Sequence, residues 1–352
     1  MSSSGLSVGI IGLPNAGKST LFNALIKRQL AKVAEYPFTT IDPYEGVVDV
    51  PDERLITLSS MIKPDKTTPA TVTIIDIAGL VKGAAQGEGL GNEFLGHIRE
   101  VDAIVHVVRA FESSEAAHVL ISIDPQRDIE IVNTELVLKD LDIVSKLVEK
   151  EKDLEKKRVL ATVKDSLNKN VSVNNLKLNE EERKILNDLK LLSNKPMFYV
   201  LNISESQLGS PKIKTLEEKD FLFLCAKLEV DLEELPPDEQ KEYLKSVGVT
   251  SSSLEKVIKE AYSILNLITF FTIKGGKEVR AWPIKLGTTA LDASAVVHTD
   301  MARGFIKAEV INCVDFVSIG NWHLAHEQGK IRLEGRDYQL VDGDIIEFKF
   351  RN

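Results

Sequence analysis

An octapeptide near the amino terminus constrains the fold more than any other feature of the 352-residue sequence. Residues 12–19 read GLPNAGKS and fit the pattern G-x-x-x-x-G-K-[ST]. The apolar run 7–11 precedes the octapeptide and an apolar helical pattern follows it, which is the context the motif requires. Glycines let the backbone wrap a phosphate at a helix amino terminus, where successive N–H groups bind anions. The sequence therefore predicts the first strand, loop and helix of a P-loop α/β domain.

The residues of this loop have predicted roles that differ from one side chain to the next. Lys18 is predicted to place a point charge near the β- and γ-phosphates, as a binding and a catalytic residue. The Ser19 hydroxyl is predicted to be a ligand of Mg²⁺. The remaining nucleotide contacts of the loop are expected from Asn15, Ala16, Gly17 and Thr20.

Two further segments follow in the order expected of a nucleotide switch. Thr39 and Thr40 lie in a polar loop, and either one can complete the Mg²⁺ shell when the γ-phosphate is present. Asp76, after an apolar strand, is predicted to hold Mg²⁺ through water, and the Gly79 N–H to sense the γ-phosphate. The glycine-rich segment 80–92 is therefore predicted to be a second switch.

Apolar runs alternate with helical patterns over the first two-thirds of the chain. Most runs are continuously apolar, as in strands that helices bury on both faces, and this predicts a largely parallel α/β sheet. The predicted strands are 6–11, 46–50, 71–77, 103–108, 197–202 and 221–225.

A helical insertion interrupts this alternation at about 125–195. Residues 134–167 are predicted to be helical, and a second helix is expected to start at Asn179, where Glu182 completes a capping-box pattern. The two helices are interpreted as an antiparallel hairpin. The charged run 149–158 is interpreted as a solvated helix face, with a partner-binding coiled coil as the alternative.

The pattern changes again after residue 265. Apolar runs at 267–273, 278–282, 305–310 and 345–350 predict further strands. Residues 266–352 are therefore predicted to form a separate small α+β domain. The preceding residues, 5–265, are predicted to form the nucleotide-binding domain.

Composition narrows the classes of partner and compartment. The formal net charge of −9 argues against a molecule-wide nucleic-acid surface, and no DNA partner is predicted. Cys225 and Cys313 form no disulfide framework and fit a reducing compartment, and Cys225 is interpreted as a packing residue. The start of the chain lacks signal-peptide character, and no apolar run is long enough for a bilayer. A cytoplasmic protein without membrane association is predicted.

Several segments together resemble the YchF or Obg-like ATPase family, in the Obg-like branch of P-loop proteins. They are 12–22 (GLPNAGKSTLF), 38–43 (FTTIDP), 51–54 (PDER), 76–95 (DIAGLVKGAAQGEGLGNEFL), 109–112 (RAFE), 202–205 (NISE), 279–282 (VRAW) and 298–306 (HTDMARGFI). Met301 and Ala302 differ from the residues that the family usually has in the last segment. The resemblance covers nearly the whole chain. It implies a G-domain-like fold, a helical hairpin insertion and a C-terminal ubiquitin-like (β-grasp) TGS domain, and it favours Thr40 as the Mg²⁺ ligand.

Residues 202–205 bear on which base is bound. GTPases of this class read guanine with N-K-x-D, whose carboxylate accepts two hydrogen bonds from the base. Ile203 replaces the lysine, and Glu205 replaces the aspartate with a longer side chain, so discrimination for guanine should be lost. Ile203 is expected to pack on a purine face and Asn202 to bond an exocyclic amino group. Ala226 lies in a segment resembling the loop behind the base, and its backbone N–H is expected to contact the base. Both the residues and the resemblance predict ATP.

The group that orients the attacking water stays open. Leu80 stands where Ras-like proteins carry glutamine, so intrinsic hydrolysis should be slow. His118 is one candidate, because it matches a family position proposed to replace that glutamine. A potassium ion coordinated by Asn15 is the other.

The resemblance also implies the ribosome as a partner, through the TGS domain and the helical hairpin. Two other functions fit the same residues. One is an Obg-type GTPase, and the other is a ribosome or RNA adaptor whose hydrolysis is incidental.

Overall fold

The computed structural model describes residues 5–33, 45–77, 91–112, 122–208, 221–249 and 252–351. The chain divides into two compact units. The larger unit contains Ser7–Gly46 and Ile74–Val257, and the smaller unit contains Met1–Leu6, Val47–Thr73 and Ile258–Asn352. The predicted domain bounds, 5–265 and 266–352, stay a prediction. The smaller unit adds residues 1–6, 47–73 and 258–265 to the predicted C-terminal domain.

The secondary structure follows the predicted alternation of strands and helices. The strands are β1 (Ser7–Ile11), β2 (Glu45–Asp49), β3 (Lys66–Thr68), β4 (Thr71–Asp76), β5 (Ala103–Arg109), β6 (Met197–Asn202), β7 (Phe221–Leu224), β8 (Leu267–Lys274), β9 (Glu278–Lys285), β10 (Phe305–Asn312), β11 (Arg332–Glu334) and β12 (Asp344–Phe350). The helices are α1 (Lys18–Val33), α2 (Glu53–Ile62), α3 (Gly91–Glu100), α4 (Pro125–Lys150), α5 (Leu154–Asn168), α6 (Glu180–Asn187), α7 (Ala226–Leu232), α8 (Pro237–Ser246), α9 (Ser253–Ile264), α10 (Ala290–Val297), α11 (Thr299–Arg303), α12 (Cys313–Ile319) and α13 (Trp322–Glu327).

The first sheet has the strand order β2-β4-β1-β5-β6-β7. Strands β1, β5, β6 and β7 pair in parallel. Every residue of β5 is buried, as expected of a strand covered on both faces. The prediction of a mostly parallel α/β sheet is confirmed. Because parallel strands end at one edge of the sheet, the residues that directly follow β1, β6 and β7 come together there.

The helical insertion differs from the prediction at the charged run. The structure has two helices, α4 and α5, where one helix over 134–167 was predicted, and they share an apolar core. Glu151 is extended (φ −70°, ψ 130°), and its carboxylate accepts the N–H groups of Lys152 and Asp153. The Asp153 carboxylate then caps α5 by accepting the N–H groups of Glu155 and Lys156, both at 3.0 Å. Local capping therefore breaks a helix that charge periodicity alone would have continued.

The predicted capping box at the start of α6 is present. The Asn179 side chain accepts the Glu182 N–H at 2.9 Å, and the Glu182 carboxylate accepts the Asn179 N–H at 3.1 Å. Each side chain thus satisfies a backbone donor that has no partner within the helix.

The second sheet has the strand order β11-β10-β12-β8-β9-β3. Strand β12 runs parallel to β8, while the β8–β9, β10–β11 and β10–β12 pairs are antiparallel. This order of the five C-terminal strands is that of a ubiquitin-like β-grasp domain. Helix α10 contributes Ala290 and Ala293 to its core. Strand β3 extends the sheet by pairing in parallel with β9, and the sequence did not predict this strand.

Arg54 ties the segment that contains α2 to the C-terminal strands. Its Nη2 donates to the Asp52 carboxylate at 2.8 Å, and its Nη1 donates to the Asp342 carboxylate at 2.7 Å. The guanidinium also lies 5.3 Å from the ring centroid of Phe271. The segment 51–54, part of the family resemblance, therefore has a structural role in the smaller unit.

Asp140 of α4 anchors the chain that leads into β6. Its side chain is fully buried and accepts the N–H groups of Leu192 at 2.9 Å and Ser193 at 2.7 Å. It also accepts the Ser193 hydroxyl at 2.6 Å.

No helix in the described part of the chain has the length and apolarity needed to span a bilayer.

We expect the substitution Asp140→Ala to lower the free energy of unfolding by about 3 kcal/mol, because it leaves three buried donors unsatisfied. Urea unfolding followed by circular dichroism measures the change. Asp142→Ala on the same helix is the matched control, since Asp142 is half-exposed and its ion pair with Lys146 lies at the surface. Equal unfolding midpoints for the two variants would contradict the anchoring role of Asp140.

Candidate functional site

The loop between β1 and α1 has a backbone that glycine alone accommodates at two positions. Gly12 and Gly17 have φ angles of 152° and 95°. A Cβ atom on Gly12 would lie 2.2 Å from the Val107 carbonyl oxygen, and one on Gly17 would lie 2.1 Å from Asn202 Nδ2. The loop leads directly into α1 at Lys18, so it stands at a helix amino terminus whose N–H groups lack intrahelical acceptors. This is an anion-binding arrangement.

Lys18 lies folded back on the loop. Its side chain is 7% exposed, and Nζ donates to the Leu13 carbonyl oxygen at 3.0 Å. Burial lowers the pKa of Lys18, and the charge of Asp76 opposes that shift. A bound phosphate would supply the negative charge that this buried ammonium lacks.

Asp76 ends β4 next to Ser19, the residue that follows Lys18. Burial raises the pKa of Asp76, while the hydrogen bond from Ser19 and the charge of Lys18 lower it. Among the described residues, the buried Oδ1 atom of Asp76 accepts no hydrogen bond. The Ser19 hydroxyl and the Asp76 Oδ1 atom are therefore suitable ligands for a hard divalent cation, which prefers oxygen ligands.

The part of the chain that the structure describes holds no group of three or more His, Cys, Asp or Glu side chains arranged for a metal. A divalent ion at Asp76 would therefore take its other ligands from Ser19, water and phosphate oxygens. Few protein ligands and several waters or phosphates are typical of Mg²⁺ sites.

Asn202, the last residue of β6, connects the P-loop to the start of α7. Its side chain is 5% exposed, and Nδ2 donates to the Ala16 carbonyl oxygen at 3.0 Å. Its Oδ1 accepts the Ala226 N–H, also at 3.0 Å. The Ala226 N–H is thus already committed, which differs from the base contact predicted for it. The structure gives Asn202 a positioning role, and its predicted bond to an exocyclic amino group stays a prediction.

Ile203 does not lie where the sequence predicted. Its side chain is 2% exposed and belongs to a core cluster with Val108, Ile129 and Leu201. Its N–H donates to the Leu224 carbonyl oxygen at 2.8 Å. The expected packing on a purine face is therefore wrong, because almost no surface of Ile203 is available.

Glu205 lies at the surface, on the 3₁₀ turn after β6. Its Oε1 atom accepts the hydroxyl of Tyr243, on α8, at 2.5 Å. Tyr243 was not among the predicted site residues. It is 38 positions away in sequence, and no motif links it to 202–205.

Some predicted site residues lie outside the described residues. They are Thr39, Thr40, Gly79, Leu80 and His118, together with most of the second switch, 80–92. Their roles stay predictions.

These features define a P-loop nucleotide-binding protein. They are a loop that requires glycine at a helix amino terminus, a buried lysine, and a carboxylate beside the loop serine. Two family models match the chain, and the one that covers the P-loop agrees with this class. MMR_HSR1, described as a 50S ribosome-binding GTPase, matches residues 7–138. YchF-GTPase_C, described as a protein of unknown function (DUF933), matches residues 267–351.

Whole-chain comparisons identify the family. "Ribosome-binding ATPase YchF" of Bacillus subtilis is 42% identical over 98% of this chain and 99% of the relative. The protein of the same name from Buchnera aphidicola subsp. Schizaphis graminum is 45% identical, with the same coverage. The solved structure of the Schizosaccharomyces pombe YchF GTPase is 36% identical over 99% of each chain, with a TM-score of 0.89. This chain belongs to the YchF family.

We expect Asn202→Ala to weaken ATP and GTP binding by the same factor, about ten- to a hundredfold. The variant loses two buried hydrogen bonds of about 1 kcal/mol each, and both position the site without reading the base. Calorimetric titration with Mg²⁺ and each nucleotide measures the effect, with the exposed Asn187→Ala as the control. A large change in the ATP:GTP affinity ratio would instead make Asn202 a base-reading residue.

Proposed function

We propose that this protein is a Mg²⁺-dependent ATPase that acts at the ribosome, in the cytoplasm. The observation that carries the proposal is the combination of a P-loop site around Lys18 with a base-recognition segment that lacks N-K-x-D. The bacterial relatives are named ribosome-binding ATPases, which supports both the substrate and the partner.

The preference for ATP rests on residues 202–205. Ile203 is buried in the core, so no lysine-like stem covers the base. The Glu205 carboxylate already accepts a hydrogen bond from Tyr243. The names of the relatives divide on this point, since the fission-yeast structure is called a GTPase. An Obg-type GTPase is therefore the alternative that a direct comparison of nucleotides must exclude.

Ser19, Thr40 and Asp76 would hold the magnesium ion. When bound, the ion neutralises charge on the β- and γ-phosphates. Lys18, whose ammonium donates to the Leu13 carbonyl oxygen at 3.0 Å, would add a second positive charge. The buried position of Lys18 strengthens that interaction, because water does not screen it.

The water-orienting group has two candidates. If His118 acts there, His118→Ala should lower kcat with little change in nucleotide affinity. If Asn15 coordinates potassium, replacing potassium with sodium should slow turnover. Asn15 has a φ of 61°, in the exposed part of the loop. A rate that is insensitive to the choice of cation would remove the potassium hypothesis.

Contact with the ribosome is proposed for the helical hairpin and the C-terminal domain. The β-grasp strand order of that domain supports its assignment as a TGS domain. An adaptor that binds ribosomes or RNA, with incidental hydrolysis, is the second candidate. Turnover that ribosomes stimulate favours the regulatory ATPase, whereas ribosome binding that ignores the nucleotide favours the adaptor.

We expect ATP to bind more tightly than GTP, because the residues that read guanine are replaced or engaged elsewhere. Competition of unlabelled ATP and GTP against one fluorescent nucleotide, with and without Mg²⁺, measures both preferences in one experiment. Asp76→Asn should reduce the gain from Mg²⁺ and keep the order of the two nucleotides. Tighter binding of GTP by the wild-type protein would contradict the proposed substrate.

A further inference from the structure

The carboxylate of Glu205 stands at the position where related proteins use aspartate to bind guanine. It follows Asn202 by three residues on the turn that leaves the carboxyl end of β6. Its side chain is exposed, so a nucleotide has access to it. Its hydrogen bond from the Tyr243 hydroxyl, at 2.5 Å, joins this turn to α8. The pair lies entirely within the larger unit.

Both partners of this hydrogen bond are held by their surroundings. The turn is closed by Gln207, whose side chain accepts the Ser204 N–H at 2.8 Å. On the other side, Leu244 packs into a core cluster with Cys225, Leu228 and Leu232. Because Leu244 adjoins Tyr243, this packing holds the backbone of α8 where the Tyr243 hydroxyl reaches the Glu205 carboxylate.

Tyr243 and Cys225 are both protonated, and the Tyr243 hydroxyl is the donor of the hydrogen bond to Glu205. The hydrogen bond to Glu205 raises the pKa of Tyr243, so the hydroxyl stays a donor at neutral pH. Burial raises the pKa of the nearby Cys225 thiol, and the charge of Glu205 adds to that shift. The Cys225 thiol therefore stays neutral and adds no negative charge to that of Glu205.

Guanine and adenine place different demands on a carboxylate at this position. Guanine offers two adjacent donors, N1–H and the 2-amino group, and needs both carboxylate oxygens at once. At the same two ring positions adenine offers an acceptor at N1 and a C2–H that donates no hydrogen bond, so a carboxylate turned toward them would be repelled at N1. A tyrosine that occupies Oε1 therefore competes with guanine and not with adenine.

We propose that Tyr243 is a specificity-determining residue that disfavours guanine by holding the Glu205 carboxylate. The proposal rests on the proposed preference for ATP and adds the residue that maintains it. Tyr243 acts through Glu205, so its removal should change base selectivity while the phosphate site keeps its affinity for a triphosphate.

Four proteins test the proposal: the wild type, Tyr243→Phe, Glu205→Gln and the double variant. Calorimetry with Mg²⁺ and non-hydrolysable ATP and GTP analogues gives the ratio of the two affinities for each protein. Tyr243→Phe should shift the ratio toward GTP about three- to tenfold, the effect of one hydrogen bond, mainly through tighter GTP binding. The double variant should have the same affinity ratio as Glu205→Gln alone, because a glutamine amide offers guanine one acceptor and not two.

Tyr338→Phe is the matched control, because it removes a tyrosine hydroxyl that donates to the Asp344 carboxylate at 2.8 Å in the smaller unit. It should leave the affinity ratio unchanged. Glu205→Asp provides a second route to the same result, since its shorter carboxylate is drawn back from Tyr243 and should also shift the ratio toward GTP.

The possible outcomes separate the proposal from the function on which it rests. A wild-type protein that prefers ATP, with no shift in either Tyr243→Phe or Glu205→Asp, overturns the role of Tyr243 alone. A wild-type protein that prefers GTP overturns the proposed substrate itself. A shift that persists in the Tyr243→Phe/Glu205→Gln double variant also overturns the role of Tyr243, because the effect would then not pass through the carboxylate.

Discussion

The two hydrogen bonds of the Asn202 side chain hold together the segments that a nucleotide would touch. One bond fixes the P-loop through Ala16, and the other fixes the amino terminus of α7 through Ala226. The contact is so close that Gly17 cannot carry a side chain. Because the amide is buried, both bonds are protected from competing water. The P-loop and the start of α7 are therefore positioned before any ligand arrives.

The electrostatics of the site complement this preorganisation. Burial lowers the pKa of Lys18 and raises the pKa of Asp76, so each charge is disfavoured in the protein alone. A triphosphate with a divalent ion brings a negative charge to the lysine and a positive charge to the aspartate. Ligand binding would therefore stabilise the charged forms of Lys18 and Asp76. Perturbed pKa values of this kind are typical of functional sites.

Much of the fold and of the phosphate site could be predicted, because both depend on residues close together in sequence. The P-loop, its flanking strand and helix, and the capping box at Asn179 are local patterns of this kind. The break between α4 and α5 was missed because the caps at Glu151 and Asp153 lie inside a run that also has helical composition. The inward turn of Ile203 and the pairing of Glu205 with Tyr243 depend on tertiary neighbours, which no sequence period reveals.

The central claim, that Asn202 ties the P-loop to α7 in the free protein, can be measured at a single amide. As the first residue of α7, Ala226 has no acceptor within its helix, so its N–H depends on Asn202 for protection from solvent. Amide hydrogen exchange observed by NMR on the nucleotide-free protein should show protection at Ala226 similar to that of the β6 amides. Exchange at Ala226 as fast as in an exposed loop would contradict the account.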